Sequence, residues 1–198
     1  IPVQNWYAPA LNVAAEAGVA HWPVEDVVAL LKTGVAPQGS VTGPMAEVVF
    51  RSTQYLNDAD AQAIAVYLRA LPQRAIAPAE VVKPSAATLE RGAKVYEQHC
   101  AQCHGDNGEG KPGAFPALAG NRAVVLQDPT NLVRVVLQGG YLPATAGNPR
   151  PHGMPPFMQV LGDDDVAAVS TFVRNAWGNQ APAVGTIGVY RARERRGS

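Results

Sequence analysis

Residues Cys100-Ala101-Gln102-Cys103-His104 contain both cysteines of this 198-residue chain and one of its four histidines. The order C-x-x-C-H is the arrangement for covalent attachment of a c-type haem. Two thiols so spaced on a turn of helix can add to the two vinyl groups of one porphyrin, and the histidine that follows then lies under the iron as an axial ligand. A dithiol redox pair is the main alternative; it needs a strand-turn-helix setting and leaves the histidine without a role. A zinc site needs two further ligands, and two cysteines exclude both its four-cysteine form and its three-cysteine, one-histidine form.

An electron-transfer haem needs a second axial ligand, and Met154 is the candidate, 154 − 104 = 50 residues after His104 within Gly153-Met154-Pro155-Pro156-Phe157. The two prolines lower the entropy lost in holding the sulfur. A thioether is a weak donor that favours ferrous iron, so His/Met ligation raises the potential relative to His/His. Met158 competes, although packing is the usual fate of methionine. His152 competes too, as a lower-potential partner, and also reads as a surface or propionate-side residue. His99 is expected to face water, and His21 to be structural or exposed. Arg150 and Arg122 could neutralise a haem propionate, and Asn121 or Tyr141 could hydrogen-bond one; plain surface exposure is the competing reading for all four.

Composition bounds what surrounds this site. Sixteen Lys+Arg balance 16 Asp+Glu, so there is no basic field for nucleic-acid binding. No apolar run approaches the roughly 20 residues of a membrane helix. Nineteen glycines and 17 prolines describe short helices joined by structured loops. The chain starts at Ile1-Pro2 without Met or leader, which reads as processing or a boundary within a longer chain.

The elements that must position the site follow in order. A packed irregular loop over residues 1 to 23 leads to a helix opened by Glu25 and Asp26 and ended by Thr33-Gly34. A Gly/Pro loop carries Met45. Asn57 or Asp58 caps a helix from about 59 to 71, stopped by Pro72. Residues 73 to 87 read as an extended linker. A helix beginning near Thr88, with Thr88 or Ser85 as cap, runs down to Cys100. Further helices are expected from Thr130 to Leu137 and from Asp163 to Trp177. Residues 179 to 198 read as a tail whose basic run from Arg191 to Arg196 could touch an anionic membrane, or as a disordered end.

The order repeats. A shift of 105 residues lays Val28 on Val133, Gly34 on Gly139, Leu56 on Leu161, Asp58 on Asp163, Ala63 on Ala168, Tyr67 on Phe172 and Arg69 on Arg174. One supersecondary unit therefore occurs twice. The counterpart of Cys100 to His104 would fall before Ile1, so residues 1 to 72 read as the back part of a second haem domain. Met45 then takes the place of Met154, as ligand to a haem attached upstream or as a core methionine.

Residues 88 to 178 resemble the monohaem fold of small cytochromes c. The resemblance rests on Gly92 and Tyr96, the Cys100 to His104 segment, Pro116, the Met154 loop and Phe172. It implies that the Pro116 carbonyl accepts a hydrogen bond from His104, and that the last helix crosses the first. Trp6-Tyr7-Ala8-Pro9, the segment from Val28 to Gly34, the segment from Gly43 to Val49 and the segment from Val173 to Gly178 extend the likeness. Both units together resemble the C-terminal portion of multi-haem cytochrome subunits of bacterial membrane-associated dehydrogenases acting on alcohols, aldehydes or sugar acids.

The implied fold class is all-α, with tandem small cytochrome c domains of which the first is incomplete. The implied function is electron transfer through one covalent haem c, from a dehydrogenase catalytic subunit to a quinone, soluble cytochrome or oxidase. An exported, periplasmic location is implied as well, with membrane association through partners. The alternatives are a haem enzyme with an exchangeable distal site, such as a peroxidase or sulfur-compound oxidoreductase, and a binding module whose first unit docks a partner.

Overall fold

The computed structural model describes residues 5–76 and 83–194. Its N-terminal part contains α1 (Val24–Thr33), a hairpin of β1 (Val35–Ala36) and β2 (Gly39–Ser40), α2 (Pro44–Arg51), a 3₁₀ turn (Thr53–Tyr55) and α3 (Asp58–Ala70). In α1, Glu25 and Asp26 lie in the first turn and Lys32 in the last, matching the helix dipole at both ends. Asn57 caps α3 by accepting the Asp60 N–H at 2.8 Å. Val19, Trp22, Val27 and Ala65 form a small core between α1 and α3.

The sequence puts Met45 in a loop, but it lies in the first turn of α2. Gly43 (φ 56°) turns the chain, Pro44 starts the helix and Glu47 follows in the first turn, a start signal in which proline's missing N–H costs nothing. Met45, Val48 and Val49 share one face of this helix, with Glu47 and Arg51 on the other. Only Val49 is buried, while Met45, Val48 and Phe50 are exposed.

The C-terminal part contains α4 (Ala86–His99), α5 (Ala101–His104), α6 (Arg122–Val125), α7 (Thr130–Gln138), α8 (Asp163–Val173) and α9 (Thr186–Glu194). Ser85 caps α4 by accepting the Thr88 N–H at 3.1 Å, so the helix starts two residues before Thr88. It crosses α8 at Gly92. A Cβ there would strike the Ala168 carbonyl and stand 2.6 Å from the Phe172 Cβ. Tyr96, Phe172 and Trp177 stack mutually beside the crossing, with centroids 4.9 to 5.5 Å apart. Val95, Val133, Leu137, Val166 and Val169 fill the main core. The molecule is mostly helical, its only strands among the described residues being the two-residue pair β1 and β2. No described helix is long and apolar enough to cross a membrane.

Two expectations change. Residues 77–82 of the expected linker lie outside the described residues, and its last two, 86 and 87, already belong to α4. The basic end, expected as disordered, is helical as far as residue 194, because residues 186 to 194 form α9, whose Val189 is wholly buried; residues 195–198 lie outside the described residues. Gly188 and a short apolar list hide this helix in the sequence. Nine residues of modest propensity are held by packing rather than by intrinsic preference.

Arg174 is the largest fully buried side chain. It has no carboxylate partner among the described residues. Its guanidinium donates instead to the carbonyls of Val124 (2.8 Å), Leu126 (2.7 Å) and Pro182 (3.0 Å), joining α6, α8 and the segment before α9. Burial pushes its pKa down to about 10, still charged at neutral pH. Replacing it with leucine strands three carbonyls, at about 1–3 kcal/mol for each buried acceptor left unpaired, offset in part by relief of the desolvated charge. Arg174→Leu is therefore expected to lower the unfolding free energy by about 3 kcal/mol in a denaturant titration, and a loss below about 1 kcal/mol would show that water replaces the guanidinium.

Candidate haem site

The site begins where α4 hands over to α5. The Cys100 N–H closes α4 on the Tyr96 carbonyl at 2.8 Å, and the next turn carries Cys103 and His104. Gly105 (φ 80°) then reverses the chain, and the Tyr96 hydroxyl donates to its carbonyl at 2.6 Å. The loop folds back so that Gly110 N–H reaches the His104 carbonyl (2.8 Å) and Leu118 N–H reaches that of Gly108 (2.7 Å).

This return brings the Pro116 carbonyl 3.0 Å from His104 Nδ1. A carbonyl can only accept, so Nδ1 carries the proton and the Nε2 lone pair is free. Burial lowers the His104 pKa, against a smaller opposing effect of the Pro116 hydrogen bond. The ring is neutral at neutral pH, the form that binds a metal.

Cys100, Cys103, His104, Pro116 and Met154 all border one cavity of about 580 Å³. A deeper apolar recess of about 100 Å³ shares Cys100, His104, Pro116 and Met154 and adds Leu118, Val124, Leu132 and Val169. Met154 is pinned by its backbone, which exchanges hydrogen bonds with Gly140 at 2.8 and 3.1 Å. Gly139 lets this loop approach, because a Cβ there would collide with the Met154 carbonyl.

The other candidates separate by position. His152 borders the cavity with its ring stacked on Phe115, centroids 4.8 Å apart. Met158 packs on the main core. His99 is exposed, its ring edge toward Phe157, and His21 is exposed. Arg150 is exposed and does not border the cavity. Arg122 is turned to the N-terminal part, donating to the Glu16 carbonyl at 3.3 Å. Asn121 borders the recess, but its amide is committed to Ala117 O, Ser40 Oγ and Ala123 N–H. Tyr141 stands at the cavity, 76% exposed.

One wall comes from the N-terminal part, which sequence reasoning missed. Trp6, Ser40, Thr42, Gly43 and Ala46 border the cavity. Trp6 sits between Gly43, where a Cβ would stand 2.6 Å from the ring, and the guanidinium of Arg134, 5.0 Å from the ring centroid. Tyr7 and Asn131 fix the register by exchanging two hydrogen bonds of 2.9 Å. Arg134 is 6% exposed. It bonds Gln138 at 3.1 Å, its Nε has no hydrogen-bond partner, and among the described residues no carboxylate pairs with it. Its trace in the sequence is a lone cation in the apolar run Leu132-Val133-Arg134-Val135-Val136-Leu137.

The chemistry of these groups discriminates between readings. Burial, then the neighbouring Cys103, pushes the Cys100 thiol up to about 11, whereas a redox dithiol needs its thiolate stabilised. Among the described residues no three His, Cys, Asp or Glu side chains converge as a metal cluster would. Two thiols beside a neutral imidazole, with a thioether bordering the same large apolar cavity, fit a haem c.

The comparisons agree. Residues 89–177 match the family described as Cytochrome c. The chain is 39% identical over 196 residues to the alcohol dehydrogenase (quinone) cytochrome c subunit of Gluconobacter oxydans (strain 621H), covering 94% of this chain and 40% of that one. It is 32% identical over 194 residues to the gluconate 2-dehydrogenase cytochrome c subunit of Pantoea cypripedii, covering 93% and 44%. With cytochrome c-552 of Thermus thermophilus it shares 38% identity over 91 residues, covering 44% of this chain and 69% of that one. The chain thus spans about two fifths of the length of the dehydrogenase subunits it matches. A family match running through the attachment segment to Trp177, and a small relative covered over most of its length, place the chain in the cytochrome c family, whose members carry covalently bound haem c.

Proposed function

We propose that this chain transfers electrons through one covalently attached haem c, with His104 and Met154 as axial ligands, within the cytochrome subunit of an exported dehydrogenase. The observation that carries the reading is the shared cavity. Both cysteines, the neutral His104 ring and the Met154 thioether border the same space. When bound, the haem supplies an iron that gains and loses one electron.

The chain's own residues do the rest. Cys100 and Cys103 form the thioether links, Pro116 fixes the His104 tautomer, and Gly140 with Pro155 and Pro156 holds the Met154 backbone. With His104 and Met154 both holding the iron, no position would remain for a substrate, which separates this reading from a haem enzyme. Arg134 does not border the cavity, but its buried guanidinium lies on the ring of Trp6, which does, and its Nε–H is unused; on this reading it acts on the haem through its charge.

The relatives' names support a dehydrogenase catalytic subunit as electron donor, with a quinone, soluble cytochrome or oxidase as acceptor. The N-terminal part is proposed to be the back of a further haem domain. Its α1 and α3 occupy the places of α7 and α8 in the repeat. Ala63 and Tyr67, counterparts of the Ala168 and Phe172 that α4 covers, are exposed, Tyr67 by 67%. Met45, 51% exposed on α2, would then serve a haem attached upstream.

Haem quantitation is expected to give one haem per chain for residues 1–198. Met154→Ala is expected to abolish the methionine-to-iron charge-transfer band while Met158→Ala keeps it; the reverse would move the ligand to Met158. Removing the buried positive charge disfavours the ferrous state, so Arg134→Gln is expected to lower the midpoint potential by about 60 mV, tenfold in a one-electron equilibrium. A potentiometric titration checks this, and an unchanged potential would leave Arg134 a structural residue.

A further inference from the structure

Beyond the bridge that pairs Met154 with Gly140, the segment to Gly162 runs as loop and turns. From one side α7 fixes it, with Phe157 N–H on the Val136 carbonyl and Met158 N–H on that of Leu137, both at 3.0 Å. From the other side α9 reaches two of its carbonyls. Arg193 Nη1 donates to the Met158 carbonyl and Nη2 to the Leu161 carbonyl at 2.9 Å, while Nε pairs with Asp163 at 2.6 Å. One guanidinium therefore ties the end of the methionine loop to the first turn of α8. Both partners of the ion pair are only 24% exposed, where a charge-assisted bond is stronger than at the open surface.

The helix that delivers Arg193 is itself anchored. Val189 is wholly buried in the main core, Thr171 Oγ1 accepts the Val184 N–H at 2.9 Å, and Thr186 donates to Asp164 at 3.0 Å. All of this lies beyond residue 177, where the cytochrome c family match ends. The α9 segment lies beyond that match and is placed against the end of the Met154 loop.

We propose that Arg193 is a positioning residue: through the Met158 and Leu161 carbonyls it holds the Met154 loop closed, keeping the thioether in place and external ligands out. A thioether is a weak donor, so its occupancy depends on how little the loop can move. This rests on Met154 being the axial ligand. A guanidinium is needed rather than a charge alone, because three acceptors are served at once from a planar fork.

The test uses the haem-loaded full chain in the ferric state, well below its melting temperature. Cyanide titration is the readout, with the methionine-to-iron band recorded alongside. Arg193→Gln is expected to bind cyanide at least tenfold more tightly than the parent and to weaken the band. Arg193→Lys, which can keep the Asp163 pair but not the fork, is expected to fall between. Cyanide affinity within twofold of the parent in Arg193→Gln, or in Arg193→Lys should the first variant fail to fold, overturns the proposal. Met154→Ala separates the two levels. If it retains the band, the ligand assignment fails; if it loses the band while the Arg193 variants bind cyanide like the parent, the ligand stands and the strap does not.

Discussion

Where α4 and α8 cross, backbone meets backbone. Gly92 leaves no side chain between itself and the Ala168 carbonyl, and that contact sets the depth to which α4 can dock. Everything at the attachment segment inherits this depth. Tyr96, one turn on, packs against Phe172 and Trp177 and hydrogen-bonds the Gly105 carbonyl. The Trp177 ring in turn covers Gly108, whose carbonyl holds Leu118 and Ala119 and so places Pro116 opposite His104. Aromatic pairs of this kind contribute about 0.5–1.5 kcal/mol each beyond their buried area. Their larger effect here is geometric, because the imidazole is fixed through a chain of contacts that starts at a missing Cβ.

Two buried arginines show how a structural cation differs from one awaiting a partner. Arg174 and Arg134 are both nearly excluded from water, and burial lowers the pKa of each. Arg174 spends its donors on the carbonyls left over at the ends of α6 and before α9, so its charge is diffused over dipoles that would otherwise be unpaired. Arg134 has one side-chain acceptor and the face of Trp6, and its Nε is left over. A desolvated cation costs several kcal/mol unless compensated, and a ring face returns only about 1–2. On the proposed reading, that uncompensated charge acts on the haem.

How much of this was legible in the sequence depended on whether the determinant was local. The pentapeptide was readable because it is a short pattern with its own chemistry, while Pro116 came from the family resemblance, and the structure places its carbonyl on His104. Ser85, Asn57 and Gly34 marked helix ends in the same local way. The helix α2 was hard to read, since Pro44, which starts it, also closes the Gly/Pro-rich run before it. So was α9, whose nine residues are held by Val189 and Arg193 against distant partners. The wall supplied by Trp6, Thr42 and Gly43 was hidden because it depends on how the N-terminal part docks, through contacts such as Tyr7 with Asn131, 124 residues apart. Arg150 is exposed and Arg122 donates to the Glu16 carbonyl, away from the cavity. Arg134, whose guanidinium lies on the Trp6 ring, sits inside an apolar helix run, where charge is least expected.

The N-terminal part contributes to the cavity in a way that bears on potential. On the proposed ligation, the ferric haem carries one more positive charge than the ferrous, and anything that dries its surroundings disfavours the ferric form. Trp6, Ala46 and the Gly43 backbone stand where a lone monohaem domain would meet water. A thioether ligand would push in the same direction. Both features would then act with one sign, which would make the docking of the N-terminal part a determinant of potential as well as of the fold.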